Sequence, residues 1–423
     1  MDDVLTRIDN DLAQGNVGQA ISQLRAHAEQ VPLDRLAGFL ARAAEAAGFA
    51  DLVEAARAVG ARPEDPTALY RLGYACIERG ISAIAVPILA TALAQAPGTL
   101  PIIDELVTAY EESYRYDEAV AVLEANEAVL RDWPERYLLA FNALMSGDLG
   151  KARHWAARLS TPDDQWTHAH DRITGMLARA DQVARVAAPP VRTWHYVLNA
   201  SVLATVSPYG FDEGMNGRYA FLQDTVANCA ATLTRLRAVR PGASSVYLLP
   251  DRSSQILGLA AARLLGLPAR PWPSDVDDAV PDGAVVVAYD LSAVDRSILA
   301  ALRNRTPGSV LVEHASCWTD PPPVAADFVG LMYQHVVPPW GAQLVASPEG
   351  QVRRGEPDTR PAEELADDIA AAAGHLTPDP ETRPDDTVEH LVAFVDALAP
   401  AWPATGLRDR MWSPGPVRSS YFF

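Results

Sequence analysis

The sequence predicts a stack of helical hairpins followed by a doubly wound, mostly parallel α/β domain. Three observations predict it. Small side chains recur at Ala20, Val53, Ala85, Ala119 and Ala152, at spacings of 33, 32, 34 and 33. A turn signal precedes four of them, at Gly15-Asn16, Gly48-Phe49, Gly80-Ile81 and Gly147-Asp148. Beyond residue 192, short apolar runs alternate with helical patterns. A repeat of about 34 residues with a small residue at that offset means two short antiparallel helices packed closely. Such a unit cannot bury its own apolar face, so neighbours stack and the stack offers an interaction surface.

Taken in order, residues 1–185 read as helix, as five hairpins in roughly the first 160 residues and a further helix. VAAPPVR, residues 186–192, reads as a domain boundary because Pro-Pro follows a helix. WHYVLNASVLATVS reads as β-rich, SPYGFDEGMNG as a loop, and RYAFLQDTVANCAATLTRLRAV as helix. SVYLLP, AVVVAYD and SVLVEHA then read as strands, separated by the helices SSQILGLAAARLLG and AVDRSILAALRN. Continuous apolar strands alternating with helices indicate a parallel sheet covered on both faces. FVGLMYQHVV reads as a further strand and LVASPEGQVRR as a hairpin. Residues 355–390 hold 11 acidic side chains against two arginines, in a helix (PAEELADDIAAAAGHL) and a linker (TPDPETRPDD). TVEHLVAFVDALAP is the last helix. The expected domains are 1–185 (helical), 193–355 (α/β) and 356–423 (acidic helices and tail).

Composition narrows the function classes. The 423 residues are 49% apolar and 21% charged, as in a globular protein. The net charge of −19 argues against nucleic acid or an anionic membrane as partner, since phosphate binding needs clustered cations. Lys151 is the only lysine, which excludes Schiff-base or P-loop lysine chemistry from the second half. Cys76, Cys229 and Cys317 lie far apart in no metal-like spacing, so no metal site is expected. Reduced thiols, an acidic polar start and no membrane-length apolar run together suggest a cytoplasmic protein.

The run PTALYRLGYACIERGISAIAVPILATALAQAPG resembles the tetratricopeptide repeat, with Leu69, Leu72, Gly73, Cys76, Ala85, Leu89, Ala92 and Pro97 at the family's signature offsets. The next copy keeps Ile103, Leu106, Tyr110, Ala119 and Leu123, and the fifth keeps Leu139, Gly147, Asp148 and Ala152. The resemblance implies a superhelix whose concave groove is lined by the first helix of each unit. It assigns to that groove Tyr70, Arg71, Tyr74, Asp104, Glu105, Thr108, Glu111, Tyr137 and Phe141. An acidic, aromatic groove suits a protein or peptide partner bearing Lys or Arg.

In an open parallel sheet, ligands bind beyond the carboxyl ends of the strands. Two such ends carry polar residues entering a helix: Asp251, Arg252, Ser253 and Ser254 at the first, Asp290 and Ser292 at the second. A carboxylate beside free backbone N–H groups suits a ribose or phosphate, whereas Ser and Asp there also serve simply as helix caps. VYLLPDRSSQILGLAAARLLGLPARP and AVVVAYDLSAVDRSILAAL resemble type I phosphoribosyltransferases, with Asp290 at the second acid of the diphosphate-sugar signature and Ser297 at its last Thr. Tyr289 stands where the first acid belongs, and Val294, Asp295 and Arg296 replace the Thr-Gly-Gly turn. After the next strand, EHASCWTD offers His314 and Cys317 as catalytic candidates beside Asp290. SPYGFDEGMNGRY is a further loop able to carry function, through Tyr209, Phe211, Asp212, Glu213, Asn216 and Arg218. His168 and His170 have a chelating spacing without a third ligand nearby.

Two functions follow as expectations. One is an adaptor with a peptide groove and an α/β half that binds a small phosphorylated ligand or is a degenerate enzyme. The other is an active enzyme on a nucleotide or phosphosugar, with Asp251, Arg252 and Asp290 binding it and His314 as acid/base.

Overall fold

The computed structural model describes residues 2–209, 214–239, 241–273, 282–347, 350–376, 383–399 and 401–420. Phe211, Asp212 and Glu213 of the Gly-rich loop and much of the TPDPETRPDD linker lie outside the described residues. The chain divides into two compact units, Met1–Thr174 and Gly175–Phe423. The division falls inside a helix rather than at Pro189-Pro190.

Unit one holds five helical hairpins: α1 (Asp2–Ala13) with α2 (Val17–His27), α3 (Leu33–Ala47) with α4 (Ala50–Ala61), α5 (Pro66–Ile77) with α6 (Ser82–Gln95), α7 (Leu100–Glu112) with α8 (Tyr116–Ala125), and α9 (Tyr137–Met145) with α10 (Leu149–Ala156). Each hairpin packs against the next, as the buried faces require. The turns recur in register. Gly15, Gly48, Gly80 and Gly147 have φ of +78°, +79°, +64° and +91°, and the fourth hairpin uses Tyr114 at +55°. Left-handed backbone is what lets a helix stop and reverse within a few residues, hence the glycines. Ala20, Ala85, Ala119 and Ala152 are fully buried at the helix crossings. Gly73 explains the closest approach: a Cβ there would sit 2.4 Å from Leu89 Cγ across the α5–α6 contact.

Helix α11 (Thr167–Val183) spans the division between the units, and α12 (Pro190–Asn199) follows it. WHYVLN is thus helix where strand was expected. Pro190 at its first turn presets the backbone, and Ala200 closes it in the left-handed region at φ +53°. RYAFLQ is likewise a strand where helix was expected: β2 (Tyr219–Gln223) pairs parallel with the far end of β7 (Phe328–Val337).

The main sheet of unit two is parallel throughout. It contains β1 (Val202–Leu203), β2, β3 (Ser245–Leu248), β4 (Ala269–Pro271), β5 (Ala284–Ala288), β6 (Val310–Cys317) and β7, in the order β1-β7-β6-β5-β3-β4. The order runs outward from β3 in both directions, to β4 on one side and β5 on the other. β5 and β6 are buried along their whole length; β5 is apolar throughout, whereas β6 also buries Glu313, His314 and Ser316. α14 (Arg252–Leu265) packs on β3 and β5, and α13 (Val226–Ala238) on β7. The opposite face buries Val286, Leu311, Val329 and Met332 with Ile298 and Leu302 of α15 (Arg296–Leu302). β8 (Leu344–Ala346) and β9 (Val352–Arg354) form the expected antiparallel hairpin.

The acidic segment belongs to the same unit. α16 (Ala362–Ala372) packs on α13 and α14, and α17 (Val388–Leu398) on α13. Asp386 is buried between Arg192 and Arg235, and Asp327 between Arg305 and Arg408. No helix is long and apolar enough to cross a membrane, among the described residues.

Candidate functional site

The carboxyl end of the sheet in unit two gathers the candidate residues, most of them engaged by the chain itself. Asp251 caps α14, its Oδ1 accepting from Ser254 N at 2.8 Å. Its Oδ2 is buried with no hydrogen-bond partner among the described residues. Arg252 donates to the carbonyls of Asp358 and Arg360 at 3.0 and 2.8 Å. Ser253 Oγ accepts from Trp340 Nε1 at 2.9 Å, and Ser254 Oγ from Tyr289 N at 3.0 Å. Ser292 donates twice to Asp290 Oδ1, through N at 2.8 Å and Oγ at 2.6 Å, while Tyr333 Oη donates to Oδ2. Glu313, fully buried beneath, accepts from Leu291 N at 2.8 Å. Burial and the neighbouring Asp290 charge push its carboxyl up to about 8.

His314 and Cys317 do not form a pair. Cys317 is buried, and its Sγ accepts from Asp320 N at 3.4 Å. His314 is fully buried, with Nδ1 2.9 Å from Thr232 Oγ1 and Nε2 2.8 Å from Asp224 Oδ2. The cysteine beside it is Cys229, whose Sγ lies 3.7 Å from His314 Nε2 and 3.5 Å from Asp224 Oδ2. Tyr289 Oη donates to the same carboxylate oxygen at 2.8 Å, and Asn228 Nδ2 to Oδ1 at 3.0 Å. Burial alone would raise the Asp224 carboxyl, but His314, Tyr289 and Asn228 hold it below the usual carboxylate range. The Cys229 thiol is pushed far up by burial and by Asp224, so it is a poor nucleophile. Asp224, Cys229 and His314 together offer oxygen, sulfur and nitrogen, a donor set able to hold a metal ion. Sequence reasoning missed Asp224, Cys229 and Tyr289. Asp224 follows a strand and precedes a helix capped by Thr225, the same signal as Asp251 and Asp290, concealed once RYAFLQ is taken for helix.

In unit one, Tyr70 and Tyr74 stack with ring centroids 6.4 Å apart, and Tyr74 is 44% exposed beside the exposed Arg71. Asp104, Glu105 and Thr108 are partly exposed, and Thr108 Oγ1 donates to Asp104 O at 3.0 Å. Burial and the charge of Glu135 push Asp104 up to about 6, with Arg131 opposing. Its Oδ1 is buried without a hydrogen-bond partner among the described residues. Glu105 is raised by burial and by Asp104, Glu78 and Glu112. Tyr70 is raised by burial and by Glu105, Tyr74 and Asp104. These shifts place two tyrosines and several carboxylates within one field.

The other three groove candidates are used internally. Tyr137 and Phe141 are 3% and 2% exposed, so neither offers its ring to a partner as the repeat resemblance implied. Arg172 lies over both, 5.7 and 4.9 Å from their centroids, and Trp133 stacks on Tyr137 at 5.6 Å. Glu111 remains partly exposed as a residue, but its carboxylate accepts from Asn142 Nδ2 at 2.6 Å. Burial pushes it up to about 7, against the opposing effects of Asn142 and Arg172. His170 packs edge-on against Trp133 with centroids 6.3 Å apart. Arg218 is buried, donating to the Val417 carbonyl at 2.7 Å, while Tyr209 is exposed.

No protein-family model matches the chain, and no curated protein matches it. Among solved structures it is similar to MamA AMB-1, at 19% identity over 37% of this chain and 96% of that one, with a TM-score of 0.24. MamA RS-1 gives 18% identity over 37% and 90%, also at 0.24. A Thermobaculum terrenum O-GlcNAc transferase mutant gives 18% over 70% and 51%, at 0.22.

Proposed function

We propose that this protein is an adaptor whose hairpin unit, a tetratricopeptide-type superhelix, binds a Lys- or Arg-bearing segment of a protein partner. The observation that carries this reading is the acidity around Asp104 and Glu105, which Arg131 only partly offsets at Asp104. Both carboxyls are raised by burial and by neighbouring carboxylates, and no Arg or Lys is ion-paired to either among the described residues. A cation brought between them would relieve that repulsion in a partly desolvated setting, where charge pairing counts for more than in open water. The Tyr70–Tyr74 stack beside it offers rings on which a guanidinium can lie. Fluorescence anisotropy of a labelled Arg-rich peptide with the full chain tests this. Binding should weaken at least tenfold in Glu105→Lys and more than twofold on raising salt from 50 to 200 mM, by about the screening expected for exposed charges. Equal binding by wild type and Glu105→Lys would contradict it.

A second reading has one observation in its favour. Asp251 Oδ2 is buried without a hydrogen-bond partner among the described residues, where the strand order of the parallel sheet reverses, the usual crevice for a small ligand. An acceptor there suits a ribose hydroxyl. Against it, Arg252, Ser253, Ser254 and Ser292 already serve the chain's own atoms. Calorimetry of the full chain against nucleotides and phosphoribosyl diphosphate separates the two, since binding lost in Asp251→Ala or Asp290→Ala favours the enzyme.

A further inference from the structure

We propose that Asp224, Cys229 and His314 form a site for a single divalent transition-metal ion of the zinc type, with Tyr289 Oη at the fourth position. The three ligands come from different elements: Asp224 from the end of β2, Cys229 from the first turn of α13 and His314 from β6. Nothing in the hairpin unit takes part, so this site stands or falls independently of the peptide groove.

A tetrahedral zinc ion at ordinary bond lengths holds its sulfur about 3.6 Å from the nitrogen and from the oxygen, and those two about 3.4 Å from each other. The observed separations are 3.7 Å from Cys229 Sγ to His314 Nε2 and 3.5 Å from Sγ to Asp224 Oδ2. The Nε2–Oδ2 pair and the Tyr289 Oη–Oδ2 pair, each hydrogen-bonded at 2.8 Å, both have to open by about half an ångström.

The site is fully buried, where a net charge is costly. A doubly charged ion with one carboxylate and one thiolate sums to zero, with His314 and Tyr289 neutral. Binding forms the metal–sulfur, metal–nitrogen and metal–oxygen bonds, and the Cys229 thiol proton leaves to solvent. The outer contacts suit such a site. Thr232 Oγ1 pairs with His314 Nδ1 and so leaves Nε2 to the metal, and Asn228 holds the second Asp224 oxygen. Gly330 leaves this corner open, because a Cβ there would meet His314 O at 2.4 Å and Thr232 Oγ1 at 2.7 Å.

Burial means the ion enters as the chain folds, so the test refolds it. The full-length protein is unfolded in denaturant with chelator, freed of both, and refolded with Co2+ alone or Zn2+ alone. The expected result is one Co2+ per chain with a thiolate-to-cobalt charge-transfer band and tetrahedral visible bands. The charge-transfer band should disappear in Cys229→Ala and persist in Cys317→Ala and Cys76→Ala. Its absence from refolded wild type, or its survival in Cys229→Ala, overturns the proposal. Should Cys229→Ala or the refolding fail, wild type expressed in zinc-supplemented medium is measured by metal analysis and zinc X-ray absorption. One zinc per chain with one sulfur neighbour at about 2.3 Å supports the site, and zinc-free protein or a sulfur-free shell overturns it.

Discussion

At the scale of single residues, two glycines in the hairpin unit differ in what they make possible. Gly73 lets α5 and α6 touch, so Gly73→Ala forces a methyl into Leu89 and should cost about 1–3 kcal/mol in chemical denaturation. Gly38 lies inside α3, and among the described residues nothing comes within 4 Å of where a Cβ would sit, so Gly38→Ala should stabilise by about 0.5–1 kcal/mol through helix propensity. Glu313 makes a pH prediction. Its folded carboxyl titrates near 8 against 4.5 unperturbed, so the folded state binds more protons between those values. Its contribution is therefore fully present below about pH 4.5 and is lost as pH rises towards 8, by roughly 3 kcal/mol at neutrality. Glu313→Gln removes that titration. Its stability relative to wild type, from urea midpoints at pH 5 and pH 8, should be higher at pH 8.

At the scale of elements, the hairpins were legible because a repeat multiplies a weak signal. One small residue and one turn mean little, but recurrence at 33 ± 1 residues leaves few other folds. The fourth turn lacked a glycine because Tyr114 takes the left-handed conformation itself. β2 was illegible for the opposite reason. It is a short edge strand, partly exposed along its length, with no alternation to separate it from the helix that follows. α12 carries aromatic and β-branched residues that favour strands, and its helical signal is the proline at its first turn. The metal-donor cluster needs residues up to 90 positions apart, a proximity that no local pattern encodes. Helix capping gives a prediction here. Asp251→Ala removes the side-chain cap of α14 and should cost about 1 kcal/mol, measured by urea unfolding, whether or not a ligand binds.

At the scale of the whole molecule, unit two is held closed by buried ion pairs between segments distant in sequence. Asp327 joins Arg305 and Arg408, and Asp386 joins Arg192 and Arg235. Asp327→Ala would leave two arginines buried without their carboxylate and should destabilise by about 3–5 kcal/mol, read as a fall in the urea midpoint. The acidic segment that composition sets apart is thus fastened into the α/β unit through α16, α17 and Asp386. The adaptor reading turns instead on unit one and its open acidic face. The decisive measurement is peptide affinity of the full chain, wild type against Glu105→Lys, with an Arg-rich peptide and its Glu-substituted counterpart. The adaptor reading requires that wild type prefer the Arg-rich peptide and that Glu105→Lys abolish the preference. If wild type takes both peptides alike, or the variant keeps the wild-type preference, the acidic face is not a docking site for a basic partner.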